Sequence, residues 1–352
     1  MFLALLNLVQ KRLFFFILVA VAAGLGFGYF TGGIAFSPFL CLFAALIMIY
    51  PSLVPLPFHR LRVGFSAYRE IGISLFVNFV VSPGLALLFG AVFLTEYPEF
   101  RIGLLLLSLL PGGGMATTWT LRSRADMPTS VGIILVNLFA SVFAVSLLLP
   151  VSMDRLAPPT LSVSDGTVCV FGETTGGALS CGLGGADGLG MFSLALPMVV
   201  IAIVPLILAY VTCTLIVRRK GTEYLESVKG RFGSAGNLGL VVVLFLLMAL
   251  GSNQALVEHP ELLLRVAFPV VLFYAGLLAV SLLVAGRTRR TPRGKALVWG
   301  SFLRYITLAL GLAVSLVYQN PVYALAILPV AFAYFIQIPA SFWLERYLSP
   351  KA

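Results

Sequence analysis

The chain has 352 residues, 60% of them hydrophobic and only 10% charged, with a mean hydropathy of +1.05. A soluble domain carries about 25% charged residues, so this composition excludes a soluble enzyme or binding module and describes a polytopic membrane protein. The net charge of +10 calls for no nucleic acid, because the basic residues sort to one side of the membrane.

Met1 to Gln10 are apolar but short, and Lys11-Arg12 separates them from the first long apolar run. They read as an interfacial helix; no small-residue cleavage site precedes polar sequence, as a signal peptide would require. Spans of about 20 apolar residues then fit ten times. They are Leu13–Phe30, Phe36–Val54, Ile71–Leu94, Ile102–Leu121, Thr129–Val151, Phe192–Val217, Ala235–Gly251, Leu262–Ala285, Ala296–Val317 and Pro321–Leu344. Five spans lie in residues 1–151 and five in residues 192–352, so the second half enters the membrane in the opposite sense, as an inverted repeat requires. Residues 152–191 between them form a polar, Gly-rich, extracytoplasmic insert. Cys169 and Cys181 can pair there in an oxidising compartment, or remain two thiols in the insert. Cys41 and Cys213 fall within or at the ends of spans and read as packing residues.

With ten spans, Lys11, Arg12, Arg60, Arg62, Arg69, Arg122, Arg124, Arg218, Arg219, Lys220, Lys229, Arg231, Arg287, Arg289, Arg290, Arg293, Lys295, Arg346 and Lys351 share one side. The other side holds Arg101, Arg155 and Arg265 with Glu96, Glu99, Asp154, Asp165, Glu173, Asp187, Glu258 and Glu261. The positive-inside rule then puts both termini in the cytoplasm, in a bacterial-type inner (plasma) membrane. The basic connections Pro57–Arg69, Arg218–Phe232 and Gly286–Lys295 read as loops that set topology and meet lipid headgroups. None is long enough for a nucleotide-binding domain.

Pro111-Gly112-Gly113-Gly114 interrupts the fourth span, between the apolar run Ile102–Leu110 and the polar Thr117, Thr118, Trp119 and Thr120. Free backbone groups cannot face lipid, so such a break belongs where protein or a water-filled cavity pairs them, and it is the best sequence-level pointer to a carrier's binding site. A simple kink is the competing reading; three consecutive glycines followed by threonines favour the site. Nearby polar side chains are Asn78 and Ser82 in the third span and Asn137 and Ser141, four apart on one helix face, in the fifth. Each could equally be an interhelical hydrogen bond.

One charge stands inside a span: Arg304. At mid-bilayer it costs at least about 2.5–3.5 kcal/mol and is a functional candidate by default. Either it holds an anion, bidentately, or its side chain snorkels to the headgroups. No Asp or Glu lies in a span, so a coupling sodium would rest on backbone carbonyls and neutral oxygens. His59 and His259 sit in loops on opposite sides with no partner at metal-ligand spacing. An enzyme is not expected, nor a metal or cofactor; coupling to Na⁺ or H⁺ stays open.

The stretch from Asn78 to Ser146 resembles the bile acid:sodium symporter superfamily, and particularly its arsenical-resistance (arsenite efflux) branch. The resemblance rests on Asn78 and Pro83, the turn Pro98-Glu99-Phe100-Arg101-Ile102-Gly103-Leu104, the Pro-Gly-Gly at Pro111–Gly113, and Met115, Trp119 and Asp126 followed by Asn137. It implies ten helices in two inverted five-helix repeats. These form panel and core domains, with broken helices four and nine crossing near the binding site. The ninth span has only Gly300 and Gly311 to break it. The chain also departs from the family. Gly112 stands where arsenite carriers have a Cys, and Ala116 and Thr117 where the symporters have a sodium-binding Ser-Asn pair. Gly300 and Thr307 stand where the branches carry a Glu.

The expectation is an all-α secondary carrier of a small anionic or metalloid solute, working by alternating access. Thr117, Thr118, Thr120, Asn137, Arg304 and Thr307 would bind the solute, and Asn78, Gly113 and Ser141 an ion. Pro111, Gly112, Gly113 and Gly114 would form the break. Arsenite or antimonite efflux without the usual Cys is the alternative, and a non-transporting sensor or scaffold on the same fold is a second. Expected partners are the solute and membrane lipids, with homo-oligomerisation open.

Overall fold

A computed structural model describes residues 13–32, 43, 46, 48–51, 53, 54, 66–156, 167–170, 180–183, 200, 203–249, 261–319 and 321–349. The expected interfacial helix, most of the second span and the two histidines lie outside the described residues. In chain order the helices are α1 (Leu13–Thr31), α2 (Tyr68–Phe93), α3 (Pro98–Leu109), α4 (Gly114–Arg122), α5 (Met127–Leu156), α6 (Val204–Met248), α7 (Glu261–Ala285), α8 (Pro292–Phe302), α9 (Ile306–Gln319) and α10 (Ile327–Leu348). Among the described residues, four helical stretches are long and apolar enough to cross a membrane unaided: Tyr68–Phe93, Met127–Ser152, Glu261–Arg290 and Ile327–Leu348. The protein is a polytopic helical membrane protein.

Two further segments are each made of two short helices joined by a break, α3 with α4 and α8 with α9. Their placement follows from the cost of unpaired backbone in lipid. Residues Ile102–Leu109 and Gly294–Phe302 are buried along their whole length. The continuous helices around them take the exposed apolar side chains: Val80 and Leu88 on α2, Phe139 and Phe143 on α5, Leu264 and Leu283 on α7. Longer, continuous helices therefore sheathe the broken ones. α3 packs against α2, α5 and α10, and α8 against α5 and α7.

Local chemistry sets several boundaries. In α2, Pro83 has no N–H to continue the ladder, and the turn before it widens to a π turn, Val77–Val81, with the Ser82 N–H bonded to the Val77 carbonyl. Such insertions are frequent at functional sites, and this one carries Asn78. α8 starts at Pro292, four residues before the predicted Ala296, because the Thr291 hydroxyl accepts from the Gly294 N–H at 3.1 Å as an N-cap.

The connection Arg218–Phe232, expected as a loop, is helical apart from one glycine. α6 runs through it with Gly221 at φ +82° and ψ 171° dividing two helices. Buried Leu225 and Val228, three apart, share the face that holds this basic segment to the protein, a short periodicity that the charge run obscures. α5 continues past the expected Val151 to Leu156. The insert beyond it contains an antiparallel pair, β1 (Thr167–Val170) and β2 (Ser180–Leu183), which sets Cys169 opposite Cys181 in register.

Two ion pairs mark opposite ends of the bundle. Arg122 Nε meets Glu345 Oε1 at 2.9 Å, joining the ends of α4 and α10 at the basic end. Arg265 Nη1 meets Glu96 Oε2 at 3.1 Å at the other.

Backbone approaches backbone in the core between α3 and the turn leading into α10. A Cβ on Gly103 would stand 2.1 Å from the Ala326 carbonyl oxygen. Gly103→Ala must push backbone from backbone, and overpacking costs about 1–3 kcal/mol or more. A fall of several degrees in the thermal midpoint of the detergent-purified protein is expected. Gly84→Ala, where nothing lies within 4 Å, should leave the midpoint unchanged.

Candidate solute site

The two interrupted helix pairs, α3–α4 and α8–α9, meet at their breaks. Between α3 and α4 the chain is extended at Leu110 (φ −112°, ψ 89°) and Gly113 (φ −108°, ψ −142°). Between α8 and α9, Leu303 is extended at φ −72°, ψ 142°. The two extended segments pair as an antiparallel bridge between Pro111 and Arg304, and the Tyr305 N–H donates to the Leu110 carbonyl at 2.9 Å. Each break thus supplies partners for the other's freed backbone.

The glycines of the break answer a need for space rather than for unusual φ. A Cβ on Gly112 would stand 3.1 Å from Leu303 Cβ, and one on Gly113 2.6 Å from the Tyr305 ring. Bridge and ring can approach only because both side chains are absent.

Arg304 stands at the centre and is 2% exposed. Its Nη1 donates to the Ser108 carbonyl at 3.1 Å and its Nη2 to Asn78 Oδ1 at 2.6 Å and to the Ser301 carbonyl. Its backbone is held from α10: the Arg304 N–H donates to Gln337 Oε1 at 2.8 Å, and Gln337 Nε2 donates back to the Arg304 carbonyl at 3.2 Å. The Tyr274 hydroxyl donates to the same Gln337 oxygen at 2.8 Å. The guanidinium does not snorkel, because buried oxygens hold it. Three of its five N–H groups go to those oxygens, and Nε has no hydrogen-bond partner.

The network continues outward. Asn78 Nδ2 donates to Ser74 Oγ and to the Gly300 carbonyl, both at 3.0 Å, and Asn137 Nδ2 donates to Ser74 Oγ at 2.8 Å. Ser82 Oγ adds a second donor to the Ser108 carbonyl at 3.0 Å. A connected polar chain thus joins α5, α2, α3 and α8.

Of the expected site residues, the structure brings together Asn78, Asn137, Arg304 and the break itself. Thr117 is buried one turn into α4, and Thr307 lies in the first turn of α9 with a buried Oγ1 that has no partner. Others fall away. Thr118 is exposed. Thr120 donates to its own helix at Ala116 and pairs with Ser130 Oγ at 2.8 Å, tying α4 to α5 instead. Ser141 shares a face with Asn137 but turns its hydroxyl onto the Leu138 carbonyl.

The sequence reading missed Gln337, Ser74 and Ser108. Gln337 carried a signal, as the one amide in the apolar run Val330–Pro339. Ser74 and Ser108 carried none, since a serine in a membrane helix commonly bonds its own backbone. Toward the basic end the crossing is closed by aromatic packing. Trp119 stacks on Trp299 at 5.6 Å and meets Phe342 edge-on at 4.9 Å. Lys295 Nζ and Trp299 Nε1 reach Ser123, just past the end of α4, at 2.9 and 2.8 Å.

Comparison with known proteins agrees with this geometry. The model of the Sodium Bile acid symporter family matches residues 41–171, which include the first break and the helices that hold Asn78 and Asn137. Over that stretch the chain is similar to the family. The arsenical-resistance protein Acr3 of Corynebacterium glutamicum is 23% identical over 299 residues, covering 80% of this chain and 73% of that protein. At 80% coverage the alignment reaches into the second half of this chain. The matched family model is one of symporters.

Gln337 offers a direct check of how the second break is held. Gln337→Leu keeps the bulk but removes three hydrogen bonds, leaving buried groups unpaired at about 1–3 kcal/mol each. The thermal midpoint should fall by several degrees; a variant as stable as the wild type would show that the bonds do not hold the break.

Proposed function

We propose that the chain is a secondary active transporter that moves a small anionic or metalloid solute by alternating access where the two broken crossings meet. The observation that carries this reading is the Pro111–Arg304 bridge, from which two helices start: α4 at Gly114 and α9 at Ile306. Helix N-termini present free N–H groups and the positive end of the helix dipole. With the buried guanidinium, they make the crossing favour a negative or strongly polar solute. Thr117 and Thr307 would meet that solute. Arg304 would act through its field and would hold the two halves, without clamping the solute itself.

In this reading the chain has ten membrane crossings in two inverted five-helix repeats, with the basic loops and both termini in the cytoplasm of a bacterial-type inner membrane. The ion-pair pattern supports the orientation, since Arg122 and Glu345 share the arginine-rich end. Panel and core domains would rock about the crossing. Neither segment of the crossing contains a cysteine. Arsenite or antimonite, which the name of the relative from Corynebacterium glutamicum brings into consideration, would therefore have to bind as a neutral or anionic hydroxide through oxygen and amide groups rather than a thiolate.

A thermal-shift screen of purified protein against arsenite, antimonite and small organic anions tests this reading, since a ligand that binds the folded state must stabilise it. One class should raise the midpoint by several degrees, and Thr307→Val should reduce that rise at least severalfold while leaving the solute-free midpoint near the wild type. If no class shifts the midpoint, the crossing is not a solute site.

A further inference from the structure

The oxygens around the Arg304 guanidinium form a recognisable donor set. Two are backbone carbonyls in the last turns of helices, Ser108 near the end of α3 and Ser301 near the end of α8; the third is the amide oxygen of Asn78. All three are neutral, and among the described residues no carboxylate forms an ion pair with Arg304. A helix C-terminus carries roughly half a negative charge. Two of them converging therefore offer about one unit, which a single monovalent cation balances. Backbone carbonyls at unwound helix ends, completed by a side-chain amide, are also how transporters coordinate small cations at mid-membrane.

We infer that this crossing is a monovalent-cation site occupied permanently by the guanidinium of Arg304, a cation tethered to the chain in place of a mobile one. The charge that holds the two helix ends together cannot dissociate, so transport by this chain is not coupled to sodium at this position. Pairing by three oxygens of neutral groups also explains why Arg304 is tolerated with no carboxylate paired to it among the described residues. The inference deepens the transport reading but does not depend on it, because occupancy of the site is read from stability and needs no solute.

The test is rescue by free cations. Arg304→Ala empties the site and should lower the thermal midpoint by several degrees. Millimolar guanidinium or sodium chloride should restore much of the loss along a saturable curve, and N-methylglucamine chloride at equal ionic strength should not. The wild type should respond equally to all three salts. A folded Arg304→Ala protein indifferent to small cations would overturn the inference. If that variant does not fold, Arg304→Lys and Arg304→Met decide the matter. Lysine returns a cation to the cage and should keep a midpoint well above that of the neutral, similarly long methionine; equal midpoints would overturn the inference.

Discussion

A polypeptide that breaks its helices inside a membrane must find partners for the freed backbone within itself, and here one buried guanidinium meets most of that demand. Arg304 binds the trailing carbonyls of α3 and α8 through its side chain, while its backbone forms the bridge to Pro111 and takes two of the three hydrogen bonds of the Gln337 amide. Take the side chain away and two helix ends of like polarity face each other with no positive charge between them. The surrounding design follows from that requirement. The π turn presents Asn78, Gly112 and Gly113 admit the opposing segment, and continuous helices keep lipid away.

The same arrangement separates two roles that a charged residue in a transporter can combine. A guanidinium open to the interior could clamp an anion directly; this one has its terminal nitrogens committed to protein oxygens. What remains for a solute is the field of that charge, the two helix N-termini that begin beside it, and hydroxyls such as Thr307 Oγ1. Binding would then rest on preorganised dipoles that need not reorganise when the solute arrives. Coupling by rigid-body motion is also easier to picture when the hinge between the two crossings is a chain-borne charge that stays put through the cycle.

Much of this was legible in the sequence because the membrane is a severe filter. Apolar runs, basic loops and the Pro-Gly run gave the helical class and the first break, and Asn78, Asn137 and Arg304 stood out as polar groups where polarity is expensive. The second break was less legible for a physical reason. Leu303-Arg304-Tyr305 contains neither proline nor glycine, and its extended conformation is imposed from outside, by Gln337, Tyr274 and the opposing Leu110 carbonyl. A window of sequence carries local propensity but not a hydrogen bond from a residue 33 positions away. The threonines misled in the opposite way: Thr117, Thr118 and Thr120 lie close in sequence but point around a helix, so they could not all face one site.

The account rests on the guanidinium and its oxygen partners acting as a unit, and a double-mutant cycle between Arg304→Met and Asn78→Leu measures that most directly. Unfolding free energies of the wild type, both single variants and the double variant would be compared in one detergent. Hydrogen bonds to a charged group are worth about 1.5–3 kcal/mol. The account therefore predicts that the double variant loses less than the sum of the singles by at least about 1.5 kcal/mol. Losses that add to within about 0.5 kcal/mol, as for independent sites, would contradict it.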